Sequence, residues 1–98
     1  MTLSTHVLDL AAGRPAAGVA VSLLAADGTT VAAGKTGADG RLNFEGDLPT
    51  GDYTLRFELA PLTALFDSVS LGVRLPEQRH YHLPLLVSPF GLSSYRGS

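Results

Sequence analysis

Cysteine and tryptophan are absent from this chain, and charge is sparse. Without cysteine, neither a disulfide framework nor a thiolate metal site can exist. Charged residues make up 16% of the sequence, against an average of about 25% for globular domains. A surface so thin in charge suggests that part of it is covered by another chain. The seven lysines and arginines are scattered singly from Arg14 to Arg96, and the net charge is −2. The basic stripe of a nucleic-acid binder is therefore missing, and no nucleic-acid partner is expected. No apolar run approaches the ~20 residues of a membrane helix, so no membrane partner is expected either. Met1-Thr2-Leu3-Ser4 opens without the positive n-region and apolar h-region of a signal peptide, and a cytoplasmic location is the expectation. A nucleophile elbow, a phosphate-binding glycine loop and a cofactor fingerprint are also lacking, so no cofactor is expected.

Hydrophobic residues, by contrast, reach 45% of the 98 positions. That balance excludes disorder and predicts one packed domain over 1–98. Glycine and proline recur about every ten residues, and no long stretch has helical periodicity, which reads as short strands joined by turns. Strands are predicted over Ser4–Leu10, Val19–Ala25, Thr29–Thr36, Arg41–Phe44, Asp52–Leu59, Phe66–Leu75 and His80–Ser88, with Leu92–Arg96 as a final edge strand. Gly13-Arg14-Pro15 breaks the first of them. Asp27-Gly28 suits a type I′ hairpin turn. Ala60 to Ala64 is too short for a helix. Seven to eight short strands in so short a chain imply an all-β, two-sheet Greek-key sandwich.

Side chains alternate across a strand. In the late strand Tyr81, Leu83, Leu85 and Val87 share one face, the natural core face, and His80, His82, Pro84 and Leu86 share the other. If Val7 of the first strand faces the core with Leu3 and Thr5, then His6, Leu8 and Leu10 face outward. All three histidines thus lie beside apolar residues on outward faces. Such a face usually marks an interface or a ligand site, and imidazole is the side chain best suited to proton transfer near neutral pH. Taken singly, a strand histidine is more often only a surface residue. His80-x-His82 has a spacing that can chelate, but no cysteine or well-placed carboxylate completes that set, so no metal is expected. Pro84 fits a strand only near an edge or a bulge.

Four segments in order carry a resemblance. Leu3-Ser4-Thr5-His6-Val7-Leu8-Asp9, continued by Gly13 to Gly18, resembles the N-terminal signature of the 5-hydroxyisourate hydrolases, enzymatic relatives of transthyretin. Lys35-Thr36-Gly37-Ala38-Asp39-Gly40-Arg41 resembles the family's turn with its functional arginine. His80-Tyr81-His82-Leu83-Pro84-Leu85-Leu86-Val87-Ser88-Pro89 is similar to its late strand, and Tyr95-Arg96-Gly97-Ser98 to its ending. The chain departs from the family between Leu59 and Phe66, which is shorter and where a small helix is usual, and at Leu92, where an aromatic is usual.

The resemblance implies a transthyretin-like fold and an amidohydrolase of purine breakdown. Such an enzyme opens the 5-hydroxyisourate ring to give 2-oxo-4-hydroxy-4-carboxy-5-ureidoimidazoline. It implies His6, Arg41, His82 and Ser98 as catalytic residues and Tyr95, Arg96 and Gly97 as substrate-binding residues. It further implies a homotetramer, a dimer of dimers with the sites in the channel where two dimers meet. Chemically, either His6 or His82 can take a proton from water while the other serves the leaving nitrogen. The permanently charged, planar Arg41 can hold substrate oxygens or a developing oxyanion. Taken alone, Arg41 is an ordinary solvated turn residue, Tyr95 is as well read as packing, and His80 is a surface or supporting residue. Gly18 to Leu59 also resembles carboxypeptidase-regulatory-like sandwich domains. A non-catalytic binding module or a small-ligand carrier is therefore the alternative function.

Overall fold

A computed structural model describes residues 1–97. Its elements in chain order are β1 Thr2–Asp9, β2 Arg14–Pro15, β3 Ala20–Ala25, β4 Thr30–Lys35, β5 Arg41–Phe44, β6 Gly51–Glu58, β7 Ser68–Leu75, β8 His80–His82, β9 Leu85–Ser88 and β10 Gly91–Ser94. No helix occurs among the described residues, so none is long and apolar enough to cross a membrane.

The strands form two sheets. One has the order β4-β3-β6-β7 and is antiparallel throughout. The other is built around β1. On one side β1 pairs antiparallel with β5 and then with β2. On the other it pairs parallel with β8 and then β9, and β10 closes that edge antiparallel to β9. Period-two alternation turns one face of each sheet inward. Leu3, Val7, Tyr81, Leu83, Leu85 and Val87 meet Val21, Leu23, Tyr53, Leu55 and Phe57 in one buried cluster. Thr5 is also fully buried, and its hydroxyl donates to the Leu83 carbonyl at 2.6 Å, so the polar atom is satisfied inside the core. This is the all-β sandwich that the sequence predicts, and the inward set on β1, β8 and β9 is the predicted one.

Four details differ from expectation. The single late strand is two, because Pro84 has no N–H for the ladder. The register with β1 nevertheless continues unchanged across the gap, from Ser4↔His82 to Val7↔Leu85. Arg14–Pro15, expected as a break, pairs with Leu8 and Asp9 as a two-residue edge strand, where proline is tolerated. The Asp27-Gly28 turn is not type I′. Among the described residues none other than glycine has positive φ, and in this turn Gly28 alone does so at +88°, while its N–H donates to Ala25 O. This is a tight turn closed by a left-handed glycine, and the ladder shifts register just before it, between Leu23 and Leu24. The last strand ends at Ser94, not Arg96, and beyond it Gly97 bridges to His82.

The segment joining β6 to β7 is an irregular loop. The buried Thr63 pins it, donating its hydroxyl to Pro89 O at 2.9 Å and accepting from Leu65 N at 3.2 Å.

Candidate functional site

The outward face of the β1 sheet gathers the polar residues that the core rejects. Antiparallel register sets His6 opposite Arg41 and Ser4 opposite Asn43. Parallel register on the other side sets Ser4 beside His82 and Thr2 beside His80. Directly paired side chains in a sheet stand about 5 Å apart at Cβ and diagonal ones roughly 7–8 Å. His6, Arg41 and His82 therefore occupy one small area on three adjacent strands. The chain end joins them: Gly97 N donates to His82 O at 2.7 Å. A Cβ on Gly97 would sit 2.7 Å from His82 Cδ2, so the tail passes the ring at a distance that only glycine allows.

The partners of each group fix its state. His6 Nε2 lies 2.8 Å from Asp39 O. A carbonyl can only accept, so the neutral His6 ring carries its proton on Nε2 and has its basic lone pair on Nδ1. Ser4 Oγ stands 2.8 Å from His82 Nδ1 and 2.8 Å from His80 Nε2, and Thr2 Oγ1 stands 2.7 Å from His80 Nδ1. His82 Nε2 has no hydrogen-bond partner among the described residues. Partial burial, then the Arg41 charge, then His6 and His80 hold the His82 imidazole below its ordinary pKa of 6.5. The lowering favours the neutral ring, which can accept a proton.

Arg41 follows a turn built by Asp39 and Gly40. Arg41 N donates to Asp39 Oδ1 at 3.0 Å, and Gly40 N donates to Gly37 O at 2.9 Å. Gly40 is left-handed, at φ +77°, and is pressed against β1, its carbonyl accepting from Val7 N at 2.8 Å. A Cβ there would lie 2.5 Å from Val7 O and 2.9 Å from Pro15 Cβ. Gly40→Ala is therefore expected to cost roughly 2–4 kcal/mol of stability, backbone strain plus displacement of β1. It should also slow turnover, because Asp39 O and Arg41 move with it. Gly28 is equally left-handed, but an added methyl would meet nothing within 4 Å. The same change there should lose only about 1–2 kcal/mol. Urea unfolding midpoints check this, and equal losses in the two variants would disprove the packing argument.

The remaining sequence candidates are placed less tightly. Tyr95 is exposed. Arg96 points elsewhere, lining a hollow of about 260 Å³ with Leu75, Pro76, Glu77, Tyr81 and Leu83. None of the three histidines lines that hollow. Ser98 lies outside the described residues. Among those residues no group of three His, Cys, Asp or Glu is placed to hold a metal ion. Sequence reading missed Ser4 and Thr2 as members of the cluster. Their signal was parity: they share the alternate positions of β1 with His6.

The comparisons with known proteins point to one family. The model of the HIUase/Transthyretin family matches residues 3–97. A 5-hydroxyisourate hydrolase of Mesorhizobium japonicum is 40% identical over 116 residues, covering 98% of this chain and 91% of its own. That alignment is longer than this chain, so the relative carries residues that are missing here. A solved 5-hydroxyisourate hydrolase of Klebsiella pneumoniae superposes with a TM-score of 0.88 at 40% identity, covering 100% of both chains. Sea bream transthyretin in complex with thyroxine superposes with a TM-score of 0.85 at 28% identity, covering 97% of this chain and 93% of that one. With a match running from Leu3 to Gly97 and relatives this similar along nearly the whole length, the chain belongs to the HIUase/Transthyretin family.

Proposed function

We infer that this chain hydrolyses 5-hydroxyisourate to 2-oxo-4-hydroxy-4-carboxy-5-ureidoimidazoline, a step of urate degradation. The observation that carries the inference is the outward cluster of His6, Arg41 and His82 on three neighbouring strands, with Gly97 against His82. The hydrolase relatives at 40% identity support it, against 28% for the thyroxine-binding structure.

His82, its pKa lowered and its Nε2 without a hydrogen-bond partner among the described residues, takes a proton from the attacking water. Arg41 stabilises the ring carbonyl oxygen as it gains charge. His6, its Nε2–H tied to Asp39 O, orients the substrate by accepting a hydrogen bond at Nδ1, and the proton for the leaving nitrogen comes from His82. Ser98, the last residue of the resemblance, is assigned with these three to the catalytic set. Gly97 and Tyr95 belong to the substrate-binding tail, and Arg96 is kept there on the resemblance alone.

The face is open in a single protomer, and Leu8, Leu86 and the exposed Leu10 lie on it. Ring opening needs water excluded from all but the reacting position, so a second wall is required. That fits a homotetramer, a dimer of dimers with sites where the dimers meet, acting in the cytoplasm as a single 1–98 domain.

The test is spectroscopic. Uricase generates 5-hydroxyisourate from urate, and the decay of its absorbance is followed with and without this protein. Decay accelerated in proportion to protein concentration is expected. Unaccelerated decay, with thyroxine-like aromatics still bound, would replace the enzyme by a carrier.

A further inference from the structure

The cluster contains more than the three groups assigned to ring opening. Thr2, His80, Ser4 and His82 form an unbroken line of hydrogen bonds of 2.7, 2.8 and 2.8 Å, running from the exposed edge of the face to the half-buried His82. Each imidazole engages the line through a ring nitrogen, and His80 does so through both. A neutral imidazole has one N–H and one lone pair, and a hydroxyl has one proton, so the line has two consistent directions. In one, His82 Nδ1–H donates to Ser4 Oγ, Ser4 O–H donates to His80 Nε2, and His80 Nδ1–H donates to Thr2 Oγ1. His82 Nε2 is then a bare lone pair. In the other, every bond is reversed and Nε2 carries a proton.

We propose that Thr2, His80 and Ser4 are a proton relay that keeps His82 uncharged while it takes a proton from water and then gives one to the leaving nitrogen. The proposal rests on His82 as the base. Hydrolysis of a cyclic amide puts one proton on the leaving nitrogen and yields a carboxylic acid, which is ionised near neutral pH. Until the nitrogen is protonated, the proton taken from water must be held as charge on His82 or discharged, and the discharge path is balanced. The water O–H breaks and its proton binds His82 Nε2. The Nδ1 proton passes to Ser4 Oγ, whose own proton passes to His80 Nε2. The His80 Nδ1 proton passes to Thr2 Oγ1, and the Thr2 hydroxyl proton goes to solvent, which leaves the line reversed with His82 Nε2–H. When Nε2–H then protonates the leaving nitrogen, the opposite shifts carry one solvent proton back along the line to Nδ1, the product acid loses its own proton to solvent, and the line stands again as it began. No charge is stored on the buried members. Burial disfavours a persistent imidazolium at His82, so a path that discharges it has a physical use. Parallel pairing of β8 with β1 creates the line, since it sets Thr2 against His80 and Ser4 against His82 on one face. A merely structural role would not call for the exposed members, Thr2 and His80.

The positioning residues are tested through proton supply. In dilute non-imidazole buffer, His80→Ala should lower kcat by roughly ten- to hundredfold with KM within about twofold. Added imidazole should restore the rate, because it replaces the missing carrier. Ser4→Ala, which removes the link next to His82, should lower kcat without rescue. Thr2→Val, at an exposed site, should lower it and be rescued by buffer. His80→Ala with wild-type kcat in dilute buffer, or slowed but deaf to imidazole, would overturn the relay. His82→Ala separates the two ideas. If it is inactive while His80→Ala is unimpaired, only the relay fails. If it is fully active, the assignment of His82 as base fails.

Discussion

Replacing His82 by alanine is expected to lower kcat on 5-hydroxyisourate by about a hundred- to ten-thousandfold, the span that a positioned general base contributes. The fold should survive. His82 lies on the outward face, whereas its neighbours Tyr81 and Leu83 supply the buried side of the strand. Thermal unfolding should therefore shift by no more than a surface change does, about 0.5 kcal/mol plus the loss of one hydrogen bond to Ser4. The pH profile gives an independent check. Burial first, then Arg41, His6 and His80 lower the His82 pKa from 6.5. A base works only when unprotonated, so kcat/KM should be flat through neutrality and fall as pH drops through a value below 6.5. An acid limb centred above 6.5 would show that a different group supplies the base. A His82→Ala enzyme with more than a tenth of the wild-type rate would show the same.

Much of this was legible from the residues, and the exceptions have one cause. Alternation alone sorts Tyr81, Leu83, Leu85 and Val87 inward and the histidines outward, because period-two geometry is local. What alternation cannot supply is which strand lies beside which. The pairing of Ser4 with His82 spans 78 positions and is parallel. Nothing near either residue announces it, so Ser4 remained an ordinary strand serine. Turn type failed for a related reason. Asp-Gly favours type I′ locally, but the register shift in β3 leaves room for only one left-handed residue, at Gly28. The split at Pro84, by contrast, was foreshadowed by its missing N–H. The placement of Arg96 depends on how the tail leaves β10, and no local pattern encodes that.

Arg41→Ala should slow turnover by about a hundred- to thousandfold, the effect of losing one oriented donor to a developing oxyanion and equivalent to about 2.7–4 kcal/mol of transition-state stabilisation. Stability should barely change. The side chain is exposed, and its approach to Asp39, 4.0 Å between two well-solvated groups, contributes little. Two substitutions divide the role of Arg41. Lysine keeps the charge but loses the planar fork of donors, so Arg41→Lys should recover only part of the rate. It should leave the acid limb of the pH profile in place, because a cation still faces His82. Arg41→Ala removes that cation, and the limb should move upward toward 6.5, since one of the influences holding the His82 pKa down is gone. Rate and limb thus report different properties of one side chain: directed hydrogen bonding in the first, field in the second. Arg41→Ala with a rate within twofold of wild type would remove the guanidinium from the chemistry. An unmoved limb in that variant would mean that Arg41 and His82 do not share a site, and the cluster on the β1 face would lose its central pair.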